Sequence, residues 1–160
     1  KKCGQKIDIA PVTIALGAGF EAGKDVDVVI ETMRGHKLVR TSYEGLSIPN
    51  TNVPGVIAGF SNERVIHSPA EVTMKNVKKV TDTVKKGEII SYIDDTPVYA
   101  TIDGLLRGLL RDGYKVTKGF KIADIDPRIN EYENCFTISD KARCIAGGVL
   151  EAILHSEMEK

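Results

Sequence analysis

Between Val65 and Asp126 the chain repeats one order of apolar and polar positions twice. Val84-Lys85-Lys86-Gly87 precedes the run Ile89 to Asp94, and Val116-Thr117-Lys118-Gly119 precedes Lys121 to Asp126, an offset of 32 residues from glycine to glycine. A strand, a polar turn, a Val-x-Lys-Gly corner and a second strand recur in Val65–Asp94 and Val98–Asp126. Each copy therefore reads as one supersecondary unit that needs its twin to bury its apolar face. Upstream, Val12 to Leu16 is a compact β-branched run bounded by Pro11 and Gly17, the pattern of a buried strand. The stripe Val26, Val29, Ile30 and Met33, with early acidic residues and Gly35 as a stop, predicts a helix from about Asp25 to Arg34. Leu38 to Tyr43 reads as a strand, and Ser47 to Gly59 as a loop punctuated by Pro49, Pro54, Gly55 and Gly59.

The last segment carries the clearest helical period. Ala142, Ile145, Ala146, Val149, Leu150, Ile153 and Leu154 recur at i, i+3, i+4 and i+7 behind Ser139 or Asp140 as N-cap, which predicts one face turned to the core. Gly147-Gly148 inside it should cost about 1 kcal/mol each relative to alanine, so close packing or a ligand must require bare backbone there. The fold class expected is mixed α/β (α+β) and β-rich: a β-loop-α element with a strand and loop in residues 1–62, a duplicated β domain in 63–127, and a long C-terminal helix in 128–160 packing back on the N-terminal region.

Composition narrows the function classes. The 160 residues are 42% apolar, enough for a globular interior, and 22 basic side chains balance 22 acidic ones. That balance gives no general attraction to nucleic acid or to an anionic membrane surface. No apolar run approaches the ~20 residues of a membrane span, and no signal peptide is visible, so a cytoplasmic location is expected. The start at Lys1-Lys2-Cys3 runs almost at once into a buried-type strand, which leads us to expect further protein upstream. Cys3, Cys135 and Cys144 are odd in number without Cys-x-x-Cys spacing, as free thiols would be.

Candidate chemistry is scattered. Gly17, Gly19 and Gly23 surround Phe20 in a loop that follows a strand. Such a loop either cradles an anion with backbone N–H groups, helped by a following helix N-terminus, or is a tight turn needing positive φ. Glu31 and Arg34, three apart on the expected helix, form a surface ion pair by default. His36 is a dipole-stabilised cation or a general base, but no nucleophile stands beside it to name a reaction. Asp124 and Asp126 crowd Arg128 in an Asp-x-Asp turn, a spacing found in magnesium ligation and in ordinary turns alike. Asp140, Lys141 and Arg143 cluster at the last helix's start, where two cations oppose the helix dipole and invite a local anion. No metal site is expected.

Two resemblances follow from these residues. The duplicated unit resembles biotinyl and lipoyl carrier domains, the barrel-sandwich hybrid plan. The turn joining its halves is Asp94-Asp95-Thr96-Pro97, without the lysine that carriers modify, and Met74-Lys75 lies inside the first copy; neither biotin nor lipoate is expected. Sandwich modules of this kind also resemble the C-terminal domains of zinc deacylases such as succinylglutamate desuccinylase, whose His-x-x-Glu ligand pair is absent here. More extensively, Gly17 to Gly23, Glu31-Thr32-Met33-Arg34-Gly35-His36, Pro54-Gly55, Leu105 to Leu110, Asp124 to Arg128 and Ile138 to Arg143 together resemble the YqeB family, accessory proteins of selenium-dependent molybdenum hydroxylases. The resemblance runs from about Ile9 to Leu154. It implies a cytoplasmic bacterial protein acting in hydroxylase maturation, with the selenium-dependent molybdenum hydroxylase as partner. Family members usually carry a further N-terminal segment similar to a nucleotide-binding α/β unit. Two departures stand out: Ala18 replaces a proline of the family loop, and Val39 stands where a glycine usually follows Arg-Gly-His. On this basis Gly17, Gly19, Phe20, Gly23, Glu31, Arg34, His36, Asp126, Arg128, Asp140, Lys141 and Arg143 are candidates to surround a small anionic ligand, of molybdopterin, selenium-donor or nucleotide type. The alternatives are a docking module for the apo-hydroxylase without chemistry of its own, and a domain related to metal-dependent hydrolases.

Overall fold

The computed structural model describes residues 7–51 and 53–158, which form two compact units. Cys3 lies outside the described residues. Of the described residues, the first unit takes 7–51 with 138–158, and the second takes 53–137. The architecture is α+β and β-rich, with thirteen short strands in several sheets and one long C-terminal helix among the described residues.

The first unit is built on β1 (Ile14–Leu16), β3 (Val28–Ile30) and β4 (Thr41–Ser42), with β3 central, parallel to β1 and antiparallel to β4. A two-stranded ribbon of β2 (Glu21–Ala22) and β5 (Gly45–Leu46) stands beside it. The helix expected from Asp25 to Arg34 does not form, so the N-terminal element is β-loop-β. Val28, Val29 and Ile30 are all buried, Val29 against Ala15, Ala22 and Val26, and Val28 and Ile30 on the other face with Ala152. A strand covered on both faces shows no alternation, and its continuous apolar run passes for helical spacing. The acidic residues that mimic a helix start are instead turn acceptors: Asp25 takes the Glu21 N–H at 2.9 Å, and Asp27 takes both the Thr13 N–H at 2.6 Å and the Thr13 hydroxyl at 2.7 Å. Asp27 so clips β1 to β3 at their start. Replacing it with alanine removes both bonds, and urea unfolding should show a loss of about 1–2 kcal/mol. The strand expected over Leu38 to Tyr43 shrinks to β4, because Lys37 to Arg40 turn back and Val39 sits at φ 70°.

The helix α1 (Asp140–Met158) starts where the N-cap signal placed it, with the Ser139 hydroxyl accepting the Ala142 N–H at 3.2 Å. It packs on β3 and β1, but not through the whole apolar stripe. Gly148 and Ala152 are the residues it buries fully, while Ala142, Ala146, Leu150, Ile153 and Leu154 remain exposed. The reason is the closeness of approach: a Cβ on Gly148 would lie 2.4 Å from Val39 Cγ1 and 3.4 Å from Ile30 Cγ2. Close packing therefore explains Gly148. Gly147 has nothing within 4 Å of an added Cβ, and the structure gives no reason for it.

The second unit realises the repeat. Its first copy is β6 (Val65–His67), β7 (Val72–Asn76), β8 (Thr83–Val84) and β9 (Ile89–Ile93), and its second is β10 (Thr96–Tyr99), β11 (Gly104–Leu109), β12 (Lys115–Val116) and β13 (Lys121–Asp126). The two four-stranded sheets run β10-β9-β7-β12 and β6-β13-β11-β8. Exchanging each strand for its copy converts one order into the other, so every sheet contains strands of both halves. Hydrogen bonds obey the same exchange: Gly87 N–H to Ala100 C=O at 2.8 Å matches Gly119 N–H to Ser68 C=O at 2.8 Å, and Thr81 N–H to Leu106 C=O at 2.8 Å matches Gly113 N–H to Met74 C=O at 2.9 Å. One core is shared, with Met74, Ile90, Ile93, Val98 and Val116 from one sheet meeting Ile66, Val84, Leu106, Ile122 and Ile125 from the other. Neither copy could bury its apolar face alone. The turn between the copies, at the β9–β10 hairpin, is Asp94-Asp95.

Candidate functional site

In the first unit the chain leaves the parallel pair β1 and β3 at adjacent points, into Gly17-Ala18-Gly19 after one strand and Glu31-Thr32-Met33-Arg34 after the other. The carboxyl ends of neighbouring parallel strands are where such sheets commonly hold ligands. Gly17, at φ 72°, donates its N–H to Ile30 C=O at 2.8 Å, and a Cβ there would fall 2.4 Å from the Thr32 hydroxyl. Only glycine allows these two exits to touch. Thr32 was not recognisable as part of this edge from sequence, because its neighbour comes from another strand.

Of the two readings of the glycine loop, its geometry fits the tight turn rather than the anion cradle. No helix follows it, so no helix dipole faces it. Glu21 donates to Asp25, and Gly23 donates its N–H to Val26 C=O at 2.8 Å. With Gly17 bonded to Ile30, three N–H groups of the loop serve the fold, and Gly17, Gly19 and Gly23 at φ 72°, 118° and 78° fit the tight-turn alternative. Phe20 is half-buried against Ala15, Ala22, Val26 and Val29, a packing role.

Glu31 and Arg34 do not pair with each other. Glu31 is buried, and its carboxylate accepts the Met33 N–H at 2.7 Å and the Ile48 N–H at 2.8 Å, tying the start of the proline-rich loop to the end of β3. Arg34 reaches to α1 instead: its Nη1 and Nη2 donate to Asp140 Oδ2 and Oδ1 at 3.0 and 2.9 Å, a fork-to-carboxylate pairing in which both side chains are more than half exposed. An ion pair so exposed stabilises by only about 0–1 kcal/mol, so a competing anion can exchange with it. His36 is exposed in the following turn and Arg143 on the helix surface, while Lys141 is half-buried. Lys141 and Arg143 are two helical positions apart and point about 200° from each other, so they do not make one patch. In the first unit, then, the structure joins Arg34 to Asp140 beside the Gly17 edge, without gathering all the basic candidates.

Asp126 and Arg128 belong to the second unit. Asp126 is fully buried, and its carboxylate accepts Arg128 Nε at 3.0 Å, Arg128 Nη2 at 2.8 Å, the Arg128 backbone N–H at 3.0 Å and Arg107 Nη1 at 3.1 Å. Burial pushes this carboxyl up, but the Arg128 side-chain and backbone bonds, the Arg128 charge and the Arg107 bond outweigh it and hold the pKa at about 2, below the ordinary 3.8. Asp124, the other half of Asp-x-Asp, faces the buried Arg64, whose Nη2 lies 3.4 Å from it. Both carboxylates are thus engaged by guanidinium groups. Neither Arg64 nor Arg107 was among the candidate site residues, because an arginine in a strand or short turn carries no sign of what it will meet across the sheet. Among the described residues, no three His, Cys, Asp or Glu side chains cluster as metal ligands, and no helix is long and apolar enough to cross a membrane. Cys135 and Cys144 are free thiols.

No family model and no solved structure matches the chain. Over 151 residues, 94% of its length, it is 51% identical to a protein of Escherichia coli (strain K12) described as uncharacterized protein YqeB, and it spans 28% of that protein's length. Identity of this extent makes the chain a relative of YqeB for the stretch it covers and supports the YqeB family for it.

Proposed function

We propose that this chain is the part of a cytoplasmic maturation protein for selenium-dependent molybdenum hydroxylases that binds a small anionic ligand at Arg34. The observation that carries the ligand site is the planar, exposed Arg34–Asp140 pair beside the Gly17 and Thr32 edge of the parallel strands. A guanidinium already held in the geometry of a carboxylate or phosphate recognises either without rebuilding the site. Asp140 then acts as a resident surrogate that the ligand displaces. The hydroxylase role rests on the family resemblance, and the similarity to YqeB supports that family alone.

Calorimetric titration with molybdopterin and with nucleoside di- and triphosphates tests the ligand site. Binding should weaken roughly tenfold to a hundredfold in Arg34→Ala, the loss of one charged bidentate contact, and should strengthen in Asp140→Asn, which removes the competitor. No heat with any of these ligands would remove the proposal. The second reading, a docking module for the apo-hydroxylase, is favoured by the second unit, whose buried carboxylate is bound to the unit's own arginines. Retention of apo-hydroxylase by an immobilised chain, unchanged in Arg34→Ala, is the result that would select it.

A further inference from the structure

Arg64 stands just ahead of β6 in the second unit and is 5% exposed, a charge taken out of water. A buried guanidinium needs its donors matched, and here they are not. Nη1 donates to Gly55 C=O at 3.3 Å, and Nη2 is shared at 3.4 Å by both oxygens of Asp124. Among the described residues the buried Nε has no hydrogen-bond partner. Arg128 shows what the same edge takes when it is full: its Nε and Nη2 lie 3.0 and 2.8 Å from the two oxygens of the Asp126 carboxylate. The Nε–Nη2 edge of Arg64 has the shape of a carboxylate receptor, yet Asp124 meets it at one corner.

The charges around this edge set the class of ligand. Lys121 Nζ lies 4.0 Å from Asp124, so two cations share one carboxylate and leave one positive charge. Glu63, the neighbouring acid in the chain, turns its carboxylate back to accept the Ser61 N–H at 3.0 Å. A monoanion balances the site, whereas a dianion overcharges it beside Asp124. The approach is by way of Gly55. A Cβ on Gly55 would meet nothing within 4 Å, and Val56 beside it is 71% exposed, so the segment that carries this carbonyl is not anchored in the core.

We propose that Arg64 anchors a second ligand site, which takes a small organic monocarboxylate on its Nε–Nη2 edge while Gly55 C=O gives way and Asp124 stays with Lys121. The site belongs to the second unit and does not depend on Arg34. Arginine Nε–H resonances of the whole, isotope-labelled chain test it, with formate and acetate as probes. Each should move one such resonance downfield and saturate, the shift of a donor that gains a charged acceptor. That resonance should be missing from Arg64→Lys and should move as before in Arg34→Ala. Asp124→Asn, which removes the competing charge, should lower the acetate dissociation constant roughly tenfold. Urea midpoints show whether both variants fold, and if Arg64→Lys does not, the wild type and Asp124→Asn decide the matter. Resonances unmoved by either acid, the mark of an Nε satisfied by water, would overturn the proposal. So would a shift that sodium chloride of equal ionic strength reproduces, a shift that Arg34→Ala abolishes, tighter binding of inorganic phosphate than of acetate, or acetate binding unchanged in Asp124→Asn.

Discussion

Replacing Asp126 with asparagine is expected to destabilise the chain by about 3 kcal/mol in urea, the low end of what breaking a buried ion pair costs. The low end applies because Arg128 keeps 42% of its side chain exposed and can recover water, whereas Arg107 is 26% exposed and recovers less. An asparagine keeps one acceptor oxygen for the Arg128 N–H, but its amide nitrogen meets guanidinium donors where a carboxylate oxygen stood. The same residue sets an acid limb. Its folded pKa of about 2 lies below the ordinary 3.8, so between these values the unfolded chain binds more protons than the folded one. Stability from this group is complete above about pH 4 and is lost as the pH falls through about 2, a total of roughly 2 kcal/mol by linkage. Urea midpoints of the wild type measured down this range should fall, and those of Asp126→Asn should lack that component. A variant within 1 kcal/mol of wild type, with the acid limb intact, would show that the two arginines do not depend on the carboxylate.

Gly148→Ala should cost about 2–3 kcal/mol, although alanine is the better helix former by about 1 kcal/mol. The added Cβ would sit 2.4 Å from Val39 Cγ1 and 3.5 Å from Val39 C=O. Val39 has little freedom to yield. It is β-branched, it holds φ 70°, and its N–H is bonded to Glu31 C=O at 2.8 Å. The family resemblance places a glycine at this position, which removes both the side chain and the strain of a left-handed valine. Val39→Gly should therefore rescue Gly148→Ala, with a coupling of at least about 1 kcal/mol in a double-mutant cycle. Gly147→Ala is the control: with open space around it, it should stabilise by about 0.5–1 kcal/mol. Additive behaviour of positions 39 and 148 would refute the contact.

The repeat was legible because its Val-x-Lys-Gly corners and the strands after them recur at 32 residues, so the order of the unit was written twice into one segment. The last helix was legible from the period of its own residues. The segment Asp25 to Arg34 was not, since a central strand buried on both faces loses its alternation and Asp25 and Asp27 carry the polar signature of a helix start while serving turns. Among the candidate residues, the sequence marked Glu31, Arg34, His36, Asp126, Arg128, Asp140, Lys141 and Arg143 as the charged groups to watch, without separating those that pair from those that stay on the surface. It misassigned Arg34's partner, because Asp140 lies 106 positions away and a local i, i+3 neighbour was the only one visible.

By itself the sequence determined the β-rich α+β class, the duplicated unit with a lysine-free turn, and the helix with its cap and glycine pair. Each depends on contacts within a few residues or on a repeat distance, and these are properties of order along a chain. Only the tertiary structure decided which face of α1 is buried, that Glu31 fastens a loop while Arg34 meets Asp140, and that Asp126 is bound by both Arg107 and Arg128. Those outcomes turn on which distant segments approach closely enough to exclude water or share a proton. Val39 against Gly148 is the plainest instance: two residues 109 positions apart whose contact settles why a helix tolerates a glycine and leaves its larger apolar side chains outside.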